Sequence, residues 1–557
     1  MPTAMTFDTQ VVGALPVICT YFEQLGLAAT IDRLVPYEGE VSLGTLAEIL
    51  IANRLLRPKA LFRVGDWAQT AALTDYYGLT AAQLNDDRLG RALERLARHA
   101  DDVQAALVLR AIAVFDLDVT QIHYDLTSVE LFGAYAEPTA TGPTPAGAPE
   151  APPQAAMPAP RPAYGRTKSG RRNVKQVQLG LNVTGDGGVP VGHLPLDGNA
   201  GESPSHLENL QKLTKLLPPG ELLYLGDTKL DTPTNLLTIA ARKGRFLCGG
   251  AFSPQLQERF LKHRRKLRPV AYWPKSQAER PPAERDQYQA FEASELLRGT
   301  AAGRTVRLRY RLIFVWSQSK ARQEAATRER HVAKIREEFE AVQRNLGRYS
   351  LKTRAAIVRR LEGACARYAE GQLFRYELGQ DANGAFALRF GLDSAALARW
   401  QQLEGVYVLK TNLPKAARPV AEVLRAYRGQ SQVERRFHHL KGPLAVAPMF
   451  LKSPERIAGL LAILVWALMV LALMERQVRR RLRSKPLYGL YPEGRPSPAP
   501  TGPALLECFS TLCVVIVHTA EATVRQLAQP TEVQQRLLQL LGVLPGRLRT
   551  FKQRCGM

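Results

Sequence analysis

The chain has 557 residues, 45% of them apolar, which allows two to four domains with sizeable cores. Lys and Arg number 75 against 51 Asp and Glu, a net charge of +24 spread over several segments, so a polyanionic partner, nucleic acid first, is expected. Six cysteines, at 19, 248, 365, 508, 513 and 555, make no C-x-x-C pair and no zinc-spaced Cys/His cluster, and the first residues lack the basic-then-apolar pattern of a signal peptide; a cytosolic, thiol-reduced protein is expected.

Residues 1–115 read as helical, with apolar side chains at helical spacing in Leu43, Leu46, Ile49 and Leu50 and again in Leu89, Leu93 and Leu96. Asn85 is a predicted cap, with Asp86 and Asp87 in the first turn behind it. Such a module ahead of a catalytic core binds DNA or serves packing and assembly. A first strand is predicted over 119–129. Residues 136–163 are Pro, Ala, Thr and Gly with almost no large apolar side chains, which predicts a dispensable disordered loop.

Residues 175–184 alternate, with Val177, Leu179, Leu181 and Val183 on one face and Gln176, Gln178, Gly180 and Asn182 on the other. Gly185 to Gly188 is a turn and 189–196 the returning strand. A helix near 203–217, a strand over 222–226 ending at Asp227, a helix over 232–243 and a short strand at 246–249 follow. That element order predicts a three-layer α/β core with a mixed sheet.

Residues 251–402 interrupt the plan as an α+β insertion. Its strand over 305–316 carries Arg307, Arg309 and Arg311 on one face, suited to a phosphate backbone or to plain solvent. A helix with Val332, Ile335, Phe339, Val342 and Leu346 makes a heptad seam, predicted to pack through Ile357, Leu361 and Tyr368 of the next. A hairpin turns at Asp381 to Gly384. The α/β plan resumes at 406–409 and with the helix of Glu434; residues 443–557 read as mostly helical. Within them, 457–474 is an unbroken apolar run long enough to span a membrane. A buried core helix is the favoured reading, because the run is single and follows the Glu434 helix.

Three carboxylates stand out. Asp125 lies inside an apolar strand with His123 on its face, where a charge is costly unless paired or metal-bound. Asp227 closes a strand, and open α/β sheets place sites at strand ends. Glu434 has Tyr427 seven residues before it and Lys441 seven after, which predicts all three on one helix face. Two Mg²⁺ ions about 4 Å apart need such hard oxygen ligands to activate a water or a 3′-hydroxyl and to stabilise the leaving oxygen. Singly, each acid has an ordinary role as a cap or half of an ion pair; their order along the chain is that of two-metal cutting and joining of DNA.

On these residues the chain resembles bacterial insertion-sequence transposases of the DDE class, most closely the group marked by Tyr-x2-Arg-x3-Glu-x6-Lys. Tyr427, Glu434 and Lys441 match that signature; Gln430 holds the Arg position, with Arg428 two residues earlier. Also similar are Tyr124-Asp125-Leu126-Thr127-Ser128, Gly198-Asn199, Asp227, Thr411-Asn412-Leu413, Val12 to Pro16 and Asn85 to Arg91. The spacings, 102 residues from Asp125 to Asp227 and 207 from Asp227 to Glu434, suit the subgroup with a large insertion before the Glu.

The resemblance implies an RNase H-like core related to retroviral integrases, with a mixed five-stranded sheet. It divides the chain into 1–115, a helical DNA-binding domain; 116–250 and 403–475, the split core; 251–402, the insertion; and 476–557, a helical C-terminal region. Asp125, Asp227 and Glu434 would be catalytic and hold two Mg²⁺ or Mn²⁺. The implied activity is cutting at terminal inverted repeats and joining the 3′-hydroxyl ends to target DNA. Double-stranded DNA would be the partner, met by a homodimer in a synaptic complex, in the bacterial cytoplasm at the nucleoid and not at a membrane. Tyr427, Arg428, Lys441, Arg307, Arg309 and Arg311 would contact DNA. Trp316 or Trp273 is a candidate to hold a flipped base, unless it is a core residue. The alternatives are a nuclease or resolvase on the same core, a catalytically dead DNA-binding relic, or a membrane protein through 457–474.

Overall fold

Apolar side chains at helical spacing dominate the first hundred residues, yet the described chain opens with a strand, β1 (Thr6–Val11). The computed structural model describes all residues except 1–5, 133–158, 166–172, 218–221, 275–276, 278–279, 383, 447–448, 450, 484 and 520. Most of the expected 136–163 loop therefore lies outside the described residues. The fold is mixed α/β in two units, Met1–Arg245 with Arg428–Met557, and Phe246–Tyr427.

In the first unit, helices Leu15–Leu25, Leu27–Leu34, Leu43–Leu56 and Asp86–Phe115 follow β1. Asn85 caps the last of these by accepting from the Arg88 N–H at 2.9 Å. Then come β2 (Gln121–Glu130), β3 (Ala163–Tyr164), β4 (Lys175–Thr184), β5 (Pro190–Leu196) and β6 (Leu223–Gly226). β4 pairs antiparallel with β2 on one side and with β5 and β3 on the other, and β2 pairs parallel with β6. The sheet is thus mixed.

Helices cover both of its faces. Helix Glu202–Leu216 lies over the face of Tyr124, whose hydroxyl donates to Ser205 Oγ at 3.2 Å. Helix Ser431–Lys441 lies over the face of His123 and Thr127. The polar face of β4 is therefore not solvent-exposed: Asn182 Nδ2 donates to Asn209 Oδ1 at 2.7 Å, and Gln178 Nε2 to the Ala200 carbonyl at 2.7 Å. Buried amides persist because each finds a partner. Gly180 of that face is required by close approach, since a Cβ there would lie 2.4 Å from the Tyr124 hydroxyl.

The second unit holds β7 (Arg245–Gly250), β8 (Arg268–Val270), β9 (Tyr288–Ala301), β10 (Arg304–Ser317), β11 (Phe374–Gln380), β12 (Phe386–Leu392) and β13 (Val406–Thr411). β7, β13, β10, β9 and β8 pair antiparallel in that order, and β11 with β12 forms a separate hairpin. The strand expected at 246–249 to complete the core sheet is β7, and its antiparallel partner β13 lies in this unit. Helices Gln318–Arg344 and Arg354–Ala366 share a core through Ile335, Phe339, Val342, Ile357 and Leu361.

The chain returns to the first unit with helix Ser431–Lys441, helix Pro454–Leu482, β14 (Cys513–His518) and β15 (Thr523–Leu527). The long helix is apolar and long enough to cross a membrane, and its whole apolar stretch is buried inside this unit. It packs on helix Asp86–Phe115 at Gly459, where a Cβ would meet the Leu93 carbonyl oxygen at 2.1 Å. The N-terminal helices and the C-terminal region pack together within this unit. β1 pairs with β14, a strand some five hundred residues away, and local periodicity cannot reveal such a partner.

Candidate active site

Two of the three carboxylates follow the paired stretch of two neighbouring strands. β2 and β6 run parallel with Gln121 opposite Leu223, Ile122 opposite Tyr224 and His123 opposite Leu225. Two residues beyond the last paired residues, His123 and Leu225, lie Asp125 on β2 and Asp227, which follows the end of β6 at Gly226. Asp125 is half-buried, and its Oδ1 accepts the Leu126 N–H at 2.8 Å. Asp227 caps the short 3₁₀ turn Thr228–Leu230, its Oδ1 accepting the Lys229 N–H at 2.9 Å.

Glu434 sits in the first turn of helix Ser431–Lys441, where the helix dipole favours a carboxylate, and it is exposed. It lines an open cleft of about 580 Å³ with Asp125, Thr127, Phe437, His438 and Lys441. Asp227 does not border that cleft. Thr127 also borders a second pocket of about 470 Å³, lined by Ser128, Gln178, Asn199, Glu202 and Lys229. Among the described residues, no group of three or more His, Cys, Asp or Glu side chains is gathered closely enough to hold a metal ion. The donor chemistry nonetheless suits a divalent ion: all three side chains are carboxylates, and none is buried beyond reach of solvent.

The expectation of one helix carrying Tyr427, Glu434 and Lys441 is not met. Helix Val420–Arg428 ends, and a new one starts at Ser431. Gln430, in the break, turns its amide to β2. Its Nε2 donates to the Tyr124 carbonyl at 3.0 Å, and its Oε1 lies 3.2 Å from His123 Nδ1. The other ring nitrogen of His123 lies 3.0 Å from Gln121 Nε2. Burial pushes His123 down to about 4, so it is neutral at physiological pH. This clamp fixes the start of the Glu434 helix one residue from Asp125.

A second anchor lies deeper in the same helix. Arg436 is 1% exposed and forms an ion pair with the fully buried Glu475 of helix Pro454–Leu482 at 2.6 Å. Its Nε and Nη2 also donate to the carbonyls of Gly188 and Gly187 at 2.8 and 2.7 Å. Gly187 and Gly188 both have positive φ, so the turn joining β4 to β5 can present those carbonyls. Burial would raise the Glu475 carboxyl, but Arg436 and Arg479 hold it below the usual range. Sequence reasoning gave no site role to Thr127, His438 or Arg436 and noted Gln430 only as the occupant of the signature's Arg position; the one visible signal was the double-glycine turn at 187–188.

The expected DNA-contact residues divide. Lys441 lines the cleft. Arg428 is exposed, and Tyr427 is half-buried in the second unit. Arg307 and Arg309 are exposed, but Arg311 is not available: its Nε donates to Glu292 at 2.8 Å and its Nη1 to the Arg418 carbonyl at 2.8 Å. These bonds spend its Nε and Nη1 on the sheet and the Arg418 carbonyl, since a half-buried guanidinium is costly without partners. Trp316 is half-buried against the cluster of Phe260, Phe291 and Phe314, the setting of a core residue rather than of a base-holding one. Trp273 is 43% exposed, with Arg285 over its ring at 4.6 Å.

Residues 7–109, from β1 into helix Asp86–Phe115, match a family model described as a domain of unknown function, DUF4277. No curated protein matches the chain.

Proposed function

We propose that this chain is a DDE transposase that cuts DNA at the terminal repeats of its element and joins the ends to target DNA, on an RNase H-like core. The observation that carries the reading is the cleft that Asp125 shares with Glu434 and Lys441, together with the parallel pairing of β2 with β6, the strand that Asp227 follows. Asp125, Asp227 and Glu434 would hold two Mg²⁺ or Mn²⁺. When bound, these ions supply an activated water or 3′-hydroxyl and charge compensation at the phosphate. The chain's own residues do the rest. Lys441 meets a phosphate as a point charge, and Thr127 offers a hydroxyl within the cleft. Gln430 and Arg436 hold the Glu434 helix against the sheet. Double-stranded DNA is the partner, bound by a homodimer that pairs two ends.

The test uses duplexes ending in the inverted repeats that bracket the gene. In Mg²⁺, Asp125→Asn, Asp227→Asn and Glu434→Gln should each lose cleavage and joining by more than the roughly 10- to 100-fold that loss of an outer-shell partner costs. Duplex binding in EDTA should stay near wild type, since phosphate contacts elsewhere supply most of the affinity. Wild-type cleavage by any one variant would remove that residue from the site.

A further inference from the structure

The second unit carries most of the chain's excess charge. Phe246–Tyr427 holds 34 Lys and Arg against 18 Asp and Glu, so 16 of the 24 surplus positive charges lie in its 182 residues. Many of its arginines are nevertheless answered by acids: Arg259 by Glu295, Arg311 by Glu292, Arg328 by Glu404, Arg360 by Glu338 and Arg399 by Glu258.

The outer half of the β9–β10 ribbon is among the parts left unanswered. Register puts Arg298 directly opposite Arg307 and Leu296 opposite Arg309, so these four side chains share one face. All four are exposed, while Leu308 and Tyr310 on the other face are buried. Among the described residues, none of Arg298, Arg307 and Arg309 has an ion-pair or hydrogen-bond partner. The acid further along that face, Glu292, is taken by Arg311 and by Lys415 at 3.5 Å. Like charges directly across a ladder destabilise a sheet. Three arginines on one face with no acid between them are therefore an arrangement that folding alone disfavours and an external anion would relieve.

We propose that this face of the β9–β10 ribbon, Arg298, Arg307 and Arg309, is a docking track for the phosphate backbone of duplex DNA, with Arg311 excluded from it. The choice of DNA among polyanions rests on the transposase reading. Guanidiniums two residues apart on a strand lie about 6.8 Å apart and across the ladder about 5 Å apart, so three can meet consecutive phosphates of one strand. The contact is blind to sequence and governed by counterion release.

The experiment measures binding of the full chain to a scrambled duplex by fluorescence anisotropy, without divalent metal, across a salt series. Triple replacement Arg298→Gln/Arg307→Gln/Arg309→Gln should lower the log–log salt slope by about 2 to 3, at roughly 0.9 per lost phosphate contact, and weaken binding at least about tenfold at low salt. Its Tm without DNA should hold or rise, because the Arg298–Arg307 repulsion is gone. Arg311→Gln should do the reverse, lowering Tm and leaving the slope unchanged. An unchanged slope in the triple variant overturns the track. So does a triple variant that loses binding to anionic vesicles but none to duplex. Because no cutting is needed, a lowered slope alongside undiminished cleavage by the carboxylate variants would sink the transposase reading and leave the track standing.

Discussion

Gln430 stands where the signature of the resembled group has an arginine, and its side chain is spent on β2 rather than held out to a phosphate. Gln430→Ala removes both bonds of the clamp and frees the first turn of the Glu434 helix. Cleavage should fall about 10- to 100-fold, the cost of losing an outer-shell partner, with duplex affinity unchanged; equal losses in cleavage and affinity would show that Gln430 touches DNA instead. A second residue speaks to pH. His193 on β5 is buried, neither ring nitrogen has a hydrogen-bond partner among the described residues, and burial with nearby Lys212 pushes its pKa down to about 4. In the unfolded chain the ring titrates near 6.5, so between these values the unfolded state binds the extra proton. Its stability contribution is complete above about pH 6.5 and lost as pH falls towards 4, an amount of up to about 3 kcal/mol. His193→Leu should flatten the fall of Tm between about pH 7 and pH 5 and leave Tm at neutral pH equal or higher, since it replaces two unsatisfied nitrogens with apolar surface.

At the scale of elements, the Glu434 helix is held to helix Pro454–Leu482 by the pair Arg436–Glu475. Removing one partner of a buried pair strands the other's charge, so Glu475→Leu should cost about 3 to 5 kcal/mol. Arg436→Met/Glu475→Leu should recover most of it, because Arg479, the other partner of Glu475, is partly exposed and can turn to water. A urea titration of the two variants checks this; equal losses would place the stabilisation in the Gly187 and Gly188 carbonyl contacts of Arg436 instead. The elements themselves were largely legible. Alternation marked β4, turn glycines marked its hairpin, and heptad spacing marked the helix pair of the second unit. The break at Gly429-Gln430 was not, because seven-residue spacing continues through a kink unnoticed. Nor was the burial of both faces of β4, since a polar face under a helix reads like a polar face under water until its amide partners are known.

For the whole molecule, composition sets the sign and size of the charge but not its placement. Two-thirds of the surplus falls in one unit, and within that unit the arginines on the outer face of the β9–β10 ribbon are left without acids. Similarly, the N-terminal helices looked like a module of their own because their periodicity is self-contained. In the fold they meet helix Pro454–Leu482, and β1 finds its partner in β14.

Sequence alone determined what depends on near neighbours along the chain: the α/β class, most helices and strands, and the carboxylates worth attention, because periodicity, caps and turn residues act over a few residues. Tertiary structure decided what depends on distant partners. Strand pairing made β2 and β6, which lead to Asp125 and Asp227, parallel neighbours, and a shared cleft joined Asp125 to Glu434. Ion pairing removed Arg311 from the exposed arginines and left Arg298 among them. Each of these is fixed by residues tens to hundreds of positions away, whose approach no local pattern encodes.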